Sequence, residues 1–164
     1  MKEKFVILLR HGIAEPHGSR PDEERELTDE GRRKVKEIAV NLAEIFPNVD
    51  AIISSPLVRA VQTAEPVARA YKMKITMADE LRSGADAETA RALIEKTSGK
   101  KIICVGHEPN LSELMLLMTR MHCDGEIELK KGGCYGIRVQ NGAAQLEWML
   151  PPRILREDRR PRLS

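Results

Sequence analysis

Three aliphatic runs that do not alternate with polar residues restrict this chain to few architectures: Phe5-Val6-Ile7-Leu8-Leu9, Ala51-Ile52-Ile53 and Ile102-Ile103-Cys104-Val105. A strand with one wet face alternates, whereas a strand apolar at every position is buried on both faces, as in a parallel sheet covered by helices. Each run also ends on polar residues. The first enters Arg10-His11-Gly12, the second Ser54-Ser55-Pro56 with Arg59 one helical turn on, and the third Gly106-His107. In open α/β sheets ligands bind beyond the carboxyl ends of the strands. Two histidines and two arginines from distant parts of the sequence are therefore expected to converge on one edge.

Between the runs the pattern changes to helical spacing. Residues 28 to 46 read as an amphipathic helix, with Thr28 as N-cap, Asp29 and Glu30 in the first turn, apolar residues at Val35, Ile38, Ala39, Leu42 and Ile45, and Pro47 as terminator. Ser55-Pro56 reads as a cap followed by a first-turn proline, opening a helix that carries Arg59, Gln62 and Thr63 and that Pro66 should kink or break. Lys74 to Met77 reads as a short strand, Asp86 caps a helix to about Thr97, and Asn110 caps another over Leu111 to Met121. Tyr135 to Val139 and Gln145 to Met149 flank an Asn141-Gly142 hairpin signal, which adds antiparallel strands to the parallel core. The expected fold is a three-layer α/β/α sandwich with a mostly parallel central sheet and an antiparallel C-terminal hairpin.

Composition narrows the function. The 164 residues suit one domain over residues 1 to 155, with a basic tail from 156 to 164. Residues 151 to 164 carry five arginines against Glu157 and Asp158, so the formal charge of +2 lies in the tail and the body is close to neutral. With aromatics at 3%, the body offers neither the charge nor the stacking surface for nucleic acid. The apolar run after Lys2 and Lys4 closes at Arg10, too early for a signal peptide, and no stretch reaches transmembrane length. Cys104, Cys123 and Cys134 are an odd count without paired spacing, which suits reduced thiols and a cytoplasmic location. Cys104, His107, His122 and Cys123 do not follow a zinc-ligand spacing, so neither a metal nor another cofactor is expected.

The convergent residues suit phosphoryl transfer, which needs an in-line nucleophile and cations around the equatorial oxygens. His11 can attack as a neutral imidazole, since its ordinary pKa near 6.5 leaves a ring nitrogen unprotonated at neutral pH. Arg10 can grip a phosphate through its planar fork, and His107 can add a donor. Arg59 near a helix N-terminus opposes the helix dipole, which a bound anion would explain. Each has a plainer reading: His11 as a residue that bonds its own loop, Arg10 as a surface charge, and His107 as a packing or capping residue.

Taken together the motifs resemble those of the histidine phosphatase superfamily. Leu9-Arg10-His11-Gly12 resembles its signature, Leu27-Thr28-Asp29-Glu30-Gly31 the stretch opening its first helix, and Ser54-Ser55-Pro56-Leu57-Val58-Arg59 the segment bearing its second phosphate-binding arginine. Val105-Gly106-His107-Glu108-Pro109 is similar to the second histidine in the form found in small SixA-type phosphohistidine phosphatases, as are Leu146-Glu147-Trp148 and Pro151-Pro152. The resemblance implies a phosphoglycerate mutase-like fold and hydrolysis of phosphohistidine on a protein. It implies His11 as nucleophile and Arg10, Arg59 and His107 as phosphate clamp. The family's proton-donating glutamate finds its nearest match in Glu80, with Asp79 as competitor. The partner expected is a phosphohistidine-bearing protein or a small phosphorylated substrate. A small-molecule phosphomonoesterase or mutase and an inactive phosphate-binding adaptor are the alternatives.

Overall fold

In the computed structural model, which describes residues 3–156, strands and helices alternate as the sequence periods require. The order is β1 (Lys4–Arg10), α1 (Asp29–Ile45), β2 (Ala51–Ser54), α2 (Val58–Tyr71), β3 (Ile75–Met77), α3 (Ala87–Lys96), β4 (Lys101–Gly106), α4 (Asn110–Thr119), β5 (Cys134–Gln140), β6 (Ala143–Leu150) and α5 (Pro152–Arg156). One sheet holds the strands in the order β3-β2-β4-β1-β5-β6. The first four are mutually parallel, and β5 and β6 add antiparallel edges.

The double-faced burial of the runs follows from the pleat. Val6 and Leu8 join Ala90, Ile94, Leu111, Leu114 and Met115 in one core under α3 and α4. Ile7 and Leu9, one residue out of phase, join Ile38, Leu42, Ala60, Ala64, Val67 and Leu155 in a second core under α1, α2 and α5. The sheet is thus covered on both sides, as the unbroken aliphatic runs demanded. Asn141 and Gly142 at the hairpin both have positive φ, 52° and 79°, which the tight β5-β6 turn requires.

Three local expectations are changed by tertiary contacts. α2 starts at Val58 with Leu57 at its N-cap and no side-chain cap; Ser55 Oγ accepts from Leu57 N at 3.3 Å, ahead of the helix, and also lies 2.8 Å from His107 Nε2. It also runs through Pro66 to Tyr71; Pro66 is buried with Ala64 and Val67, and that packing offsets the missing backbone donor. α4 likewise lacks a side-chain cap, because Asn110 reaches back to bond Gly84 N and Ala85 O. Of the expected tail, only Arg156 lies among the described residues, where it ends α5.

Candidate active site

The strand ends bring His11, Arg10, Arg59 and His107 together as expected. β1 and β4 pair in register up to Arg10 and Gly106, and the chain stays paired one residue further through His11 N to Gly106 O at 3.0 Å. His11 and His107 thereby face each other with ring centroids 5.1 Å apart. All four residues line one cleft of about 440 Å³.

The loop after His11 is held from two sides. Thr63, one turn beyond Arg59 on α2, accepts from Gly12 N at 3.0 Å while bonding Arg59 O at 2.8 Å. Gln62 accepts from Leu27 N at 2.7 Å, and Thr28 caps α1 by accepting from Gly31 N at 3.0 Å. Gly31 packs flush on the Ile13 carbonyl: a Cβ there would stand 2.1 Å from that oxygen. Each motif residue around His11 thus has a mechanical task.

His11 is buried, and its Nδ1 lies 2.7 Å from Gly12 O. A carbonyl only accepts, so Nδ1 carries the proton and the lone pair sits on Nε2. Burial, then His107 and the two arginines, pushes the His11 pKa well below the ordinary histidine value, although the Gly12 bond opposes this. His107 is pushed down to about 3, chiefly by burial and then by Arg59. Both rings are therefore neutral near pH 7, which is the state a nucleophilic imidazole needs.

The arginines are held by carboxylates. Arg59 donates through Nη1 to Asp22 O at 2.6 Å and through Nη2 to Asp22 Oδ2 at 3.1 Å. Asp22 Oδ1 accepts from buried Arg25 at 2.9 Å, and although burial would raise the Asp22 pKa, Arg25 and Arg59 hold it below the usual range. Arg10 donates to Glu128 Oε1 at 2.7 Å and Leu129 O at 2.5 Å. Arg10 Nε, Arg59 Nε and His107 Nδ1 are nevertheless buried and bonded to no protein group. Orphaned buried polar groups cost about 1–3 kcal/mol each, and two guanidinium N–H groups beside an unpartnered imidazole nitrogen, all on residues lining one cleft, suit a bound anion.

Glu80 lies elsewhere. It is exposed on a short 3-10 turn, Asp79–Leu81, and is not among the residues lining the cleft; Asp79 is taken up by Arg82 at 2.7 Å. The 3-10 geometry puts Leu81 into the core, leaving its neighbours to solvent. Three carboxyls do line the cleft: Glu15, paired with Arg20, Asp22, paired with Arg25 and Arg59, and Glu108, which follows His107. Its Oε1 accepts from Ser112 Oγ at 3.0 Å and Leu129 N at 3.2 Å, its Oε2 is buried without a partner, and burial raises its pKa. Asp22 and Arg25 were also missed by the sequence reading, because Asp22-Glu23-Glu24-Arg25 reads as a solvated charge run. Glu108 carried a signal in its position between the second histidine and Pro109, where a carboxylate has no capping role.

The comparisons agree with this geometry. The model of the histidine phosphatase superfamily (branch 1) matches residues 6–84, the half that carries Arg10, His11 and Arg59. An uncharacterized protein of Picosynechococcus sp. (strain ATCC 27264 / PCC 7002 / PR-6) is 31% identical over 150 residues, covering 87% of this chain and 88% of that protein. The structure of the protein histidine phosphatase SixA complexed with tungstate matches with a TM-score of 0.78 at 22% identity, over 92% of this chain and 99% of that one. A phosphoserine phosphatase mutant from Entamoeba histolytica, in complex with phosphoserine, matches with a TM-score of 0.75 at 19% identity, over 92% of this chain and 98% of the other. Sequence motifs, strand-end geometry and fold therefore lead to one assignment: the chain belongs to the histidine phosphatase superfamily, with the phosphoglycerate mutase-like fold of SixA, and is an enzyme of the phosphatase and mutase kind.

Proposed function

We propose that this chain is a cytoplasmic phosphatase that removes the phosphoryl group from histidine on a protein, by way of a phosphohistidine formed on His11. The observation that carries the reading is the pairing of a neutral His11, its Nε2 lone pair exposed by the Nδ1 bond to Gly12, with three unpartnered donors on Arg10, Arg59 and His107. His11 Nε2 attacks phosphorus, forming a P–N bond as the bond to the leaving nitrogen breaks. The guanidinium N–H groups and His107 Nδ1–H hold the equatorial oxygens through the transition state. In this reading Ser55 Oγ, which accepts from Leu57 N, donates its O–H to His107 Nε2 at 2.8 Å, so that the ring proton sits on Nδ1. Water then attacks phosphorus, cleaving P–Nε2, releasing phosphate and restoring His11.

Glu108 is the proton donor in this reading, a carboxyl at the cleft whose pKa is raised by burial and whose Oε1 is occupied by two donors. Imidazole leaves more readily than an alkoxide, so a phosphohistidine makes a smaller demand on it. Support for a protein-borne substrate comes from the short segment between Arg82 and Gly106, of which Ser83 alone lines the cleft among the described residues, so that no cap encloses it. Hydrolysis of a small phosphomonoester is the second reading, favoured by the fold shared with the phosphoserine phosphatase. Rates on a histidine-phosphorylated protein and on a panel of small phosphomonoesters separate the two. The proposal expects the protein phosphohistidine to have the higher kcat/KM; a phosphomonoester preferred by tenfold or more overturns it.

A further inference from the structure

Beside the catalytic cleft lies a second hollow, of about 280 Å³, between α1, α5 and the segment leading into β5. Arg10 and Lys131 line both, so the two adjoin at the phosphate clamp. Around the hollow stand Arg10, Lys34, Lys130, Lys131 and Arg156, against one acid, Glu128. Arg10 is tied to Glu128, Lys34 to Glu30 and Arg156 to Glu37, whereas Lys130 and Lys131 extend into solvent. The floor is apolar, formed by Val35 and Ile38 on α1 together with Pro152. A cationic rim over an apolar floor suits a side chain with an aliphatic stem and a carboxylate end. This excess of positive charge is local, since the chain as a whole carries only +2 and much of that lies in the C-terminal arginines.

We propose that this hollow docks an acidic segment of the phosphorylated substrate protein, seating glutamate or aspartate side chains that neighbour the phosphohistidine. The inference rests on the reading that the substrate is protein-borne. Charge complementarity selects the occupant: five basic side chains against one acid call for a segment that brings carboxylates. A segment lying from the cleft into the hollow passes over Arg10, so that its carboxylates meet Lys130 and Lys131 while its phosphoryl group meets His11. Rim contacts of this kind govern selectivity among partners more than chemistry, and salt weakens them.

The test uses the full chain and two synthetic peptides with a central phosphohistidine, one flanked by glutamates and one by lysines, with phosphoramidate as a substrate that carries no flank. Wild-type enzyme should prefer the acidic peptide by about tenfold in kcat/KM, as expected when several exposed charge pairs change sign together. Lys130→Glu should abolish that preference while leaving phosphoramidate hydrolysis within twofold of wild type, and high salt should reduce the preference in the wild type. Lys34→Gln, which removes a charge without reversing it, should shrink the ratio in part. Equal rates on the two peptides, or a ratio unmoved by Lys130→Glu, overturn the docking site. The same flanks around phosphoserine separate this inference from the proposed function. Turnover of phosphoserine peptides alone, with the acidic preference intact, retains the docking site and discards the phosphohistidine reading. Phosphohistidine turnover without preference does the reverse, and turnover of neither kind of peptide discards both.

Discussion

At the scale of single residues, burial decides the chemistry. His11 keeps its ring neutral because the site is dry and positively charged, and the sign of the pH dependence follows. A lowered pKa leaves Nε2 unprotonated at neutral pH and in mild acid, and the lone pair is lost only on falling below that lowered value. NMR titration of the His11 ring should give a midpoint well under the ordinary value of about 6.5; a midpoint at or above it contradicts the account. Arg59 is gripped at both Nη atoms by Asp22, a planar arrangement that an ammonium cannot copy. Arg59→Lys should therefore lower kcat/KM by about 10² to 10³, the usual effect of losing one transition-state donor. Near-normal activity would remove Arg59 from the clamp. Glu108→Gln should slow esters with poor alkoxide leaving groups by about 10² to 10⁴ while slowing phosphohistidine by less than about tenfold. Glu80→Gln, on the exposed turn, should alter neither, and single-turnover measurements keep the shared intermediate from masking the first step.

At the scale of elements, the motif around the first helix is a clamp on the nucleophile's loop. Thr28 turns α1 so that Gly31 rests against Ile13, and any side chain at 31 must push that backbone away. Gly31→Ala should cost about 2 kcal/mol in denaturant unfolding and lower kcat together with stability; unchanged stability would show that the loop can shift without penalty. This is also where the sequence was most and least legible. The both-face burial of β1, β2 and β4 follows from unbroken aliphatic runs, and the hairpin from Asn141-Gly142, because both signals are local. Ser55 and Asn110 carry the same local signal for capping, yet neither caps its helix: Ser55 bonds Leu57 N ahead of the helix and contacts distant His107, and Asn110 bonds the 84–85 loop. A hydroxyl or amide offers the same groups to a helix end as to a tertiary contact, so sequence spacing alone cannot choose between them.

For the whole molecule, convergence at the strand ends is what turns dispersed residues into a site. Arg10, His11 and His107 were legible because each ends or directly follows a strand whose direction the parallel pattern fixes, and Arg59 because it lies in the first turn of the helix after one. Asp22 and Arg25 were not, because the pairing of Asp22 with buried Arg59, 37 positions away in the sequence, exists only in the folded chain, and the sequence shows the position of Glu108 but not the burial that raises its pKa. Among the described residues, those lining the cleft lie from Arg10 to Lys131. A chain ending at residue 156 should accordingly unfold cooperatively and hydrolyse a small phosphoester at a rate within about twofold of the full chain, whereas loss of that activity would give the last eight residues a part in the site. The hydrolytic cycle itself is tested most directly by rapid quench during turnover of a substrate labelled in its phosphoryl group. The account predicts a label on His11 that is labile in acid and stable in alkali, as a phosphoramidate is, and absent from His11→Ala along with activity; an acid-stable label, or turnover persisting in His11→Ala, would contradict it.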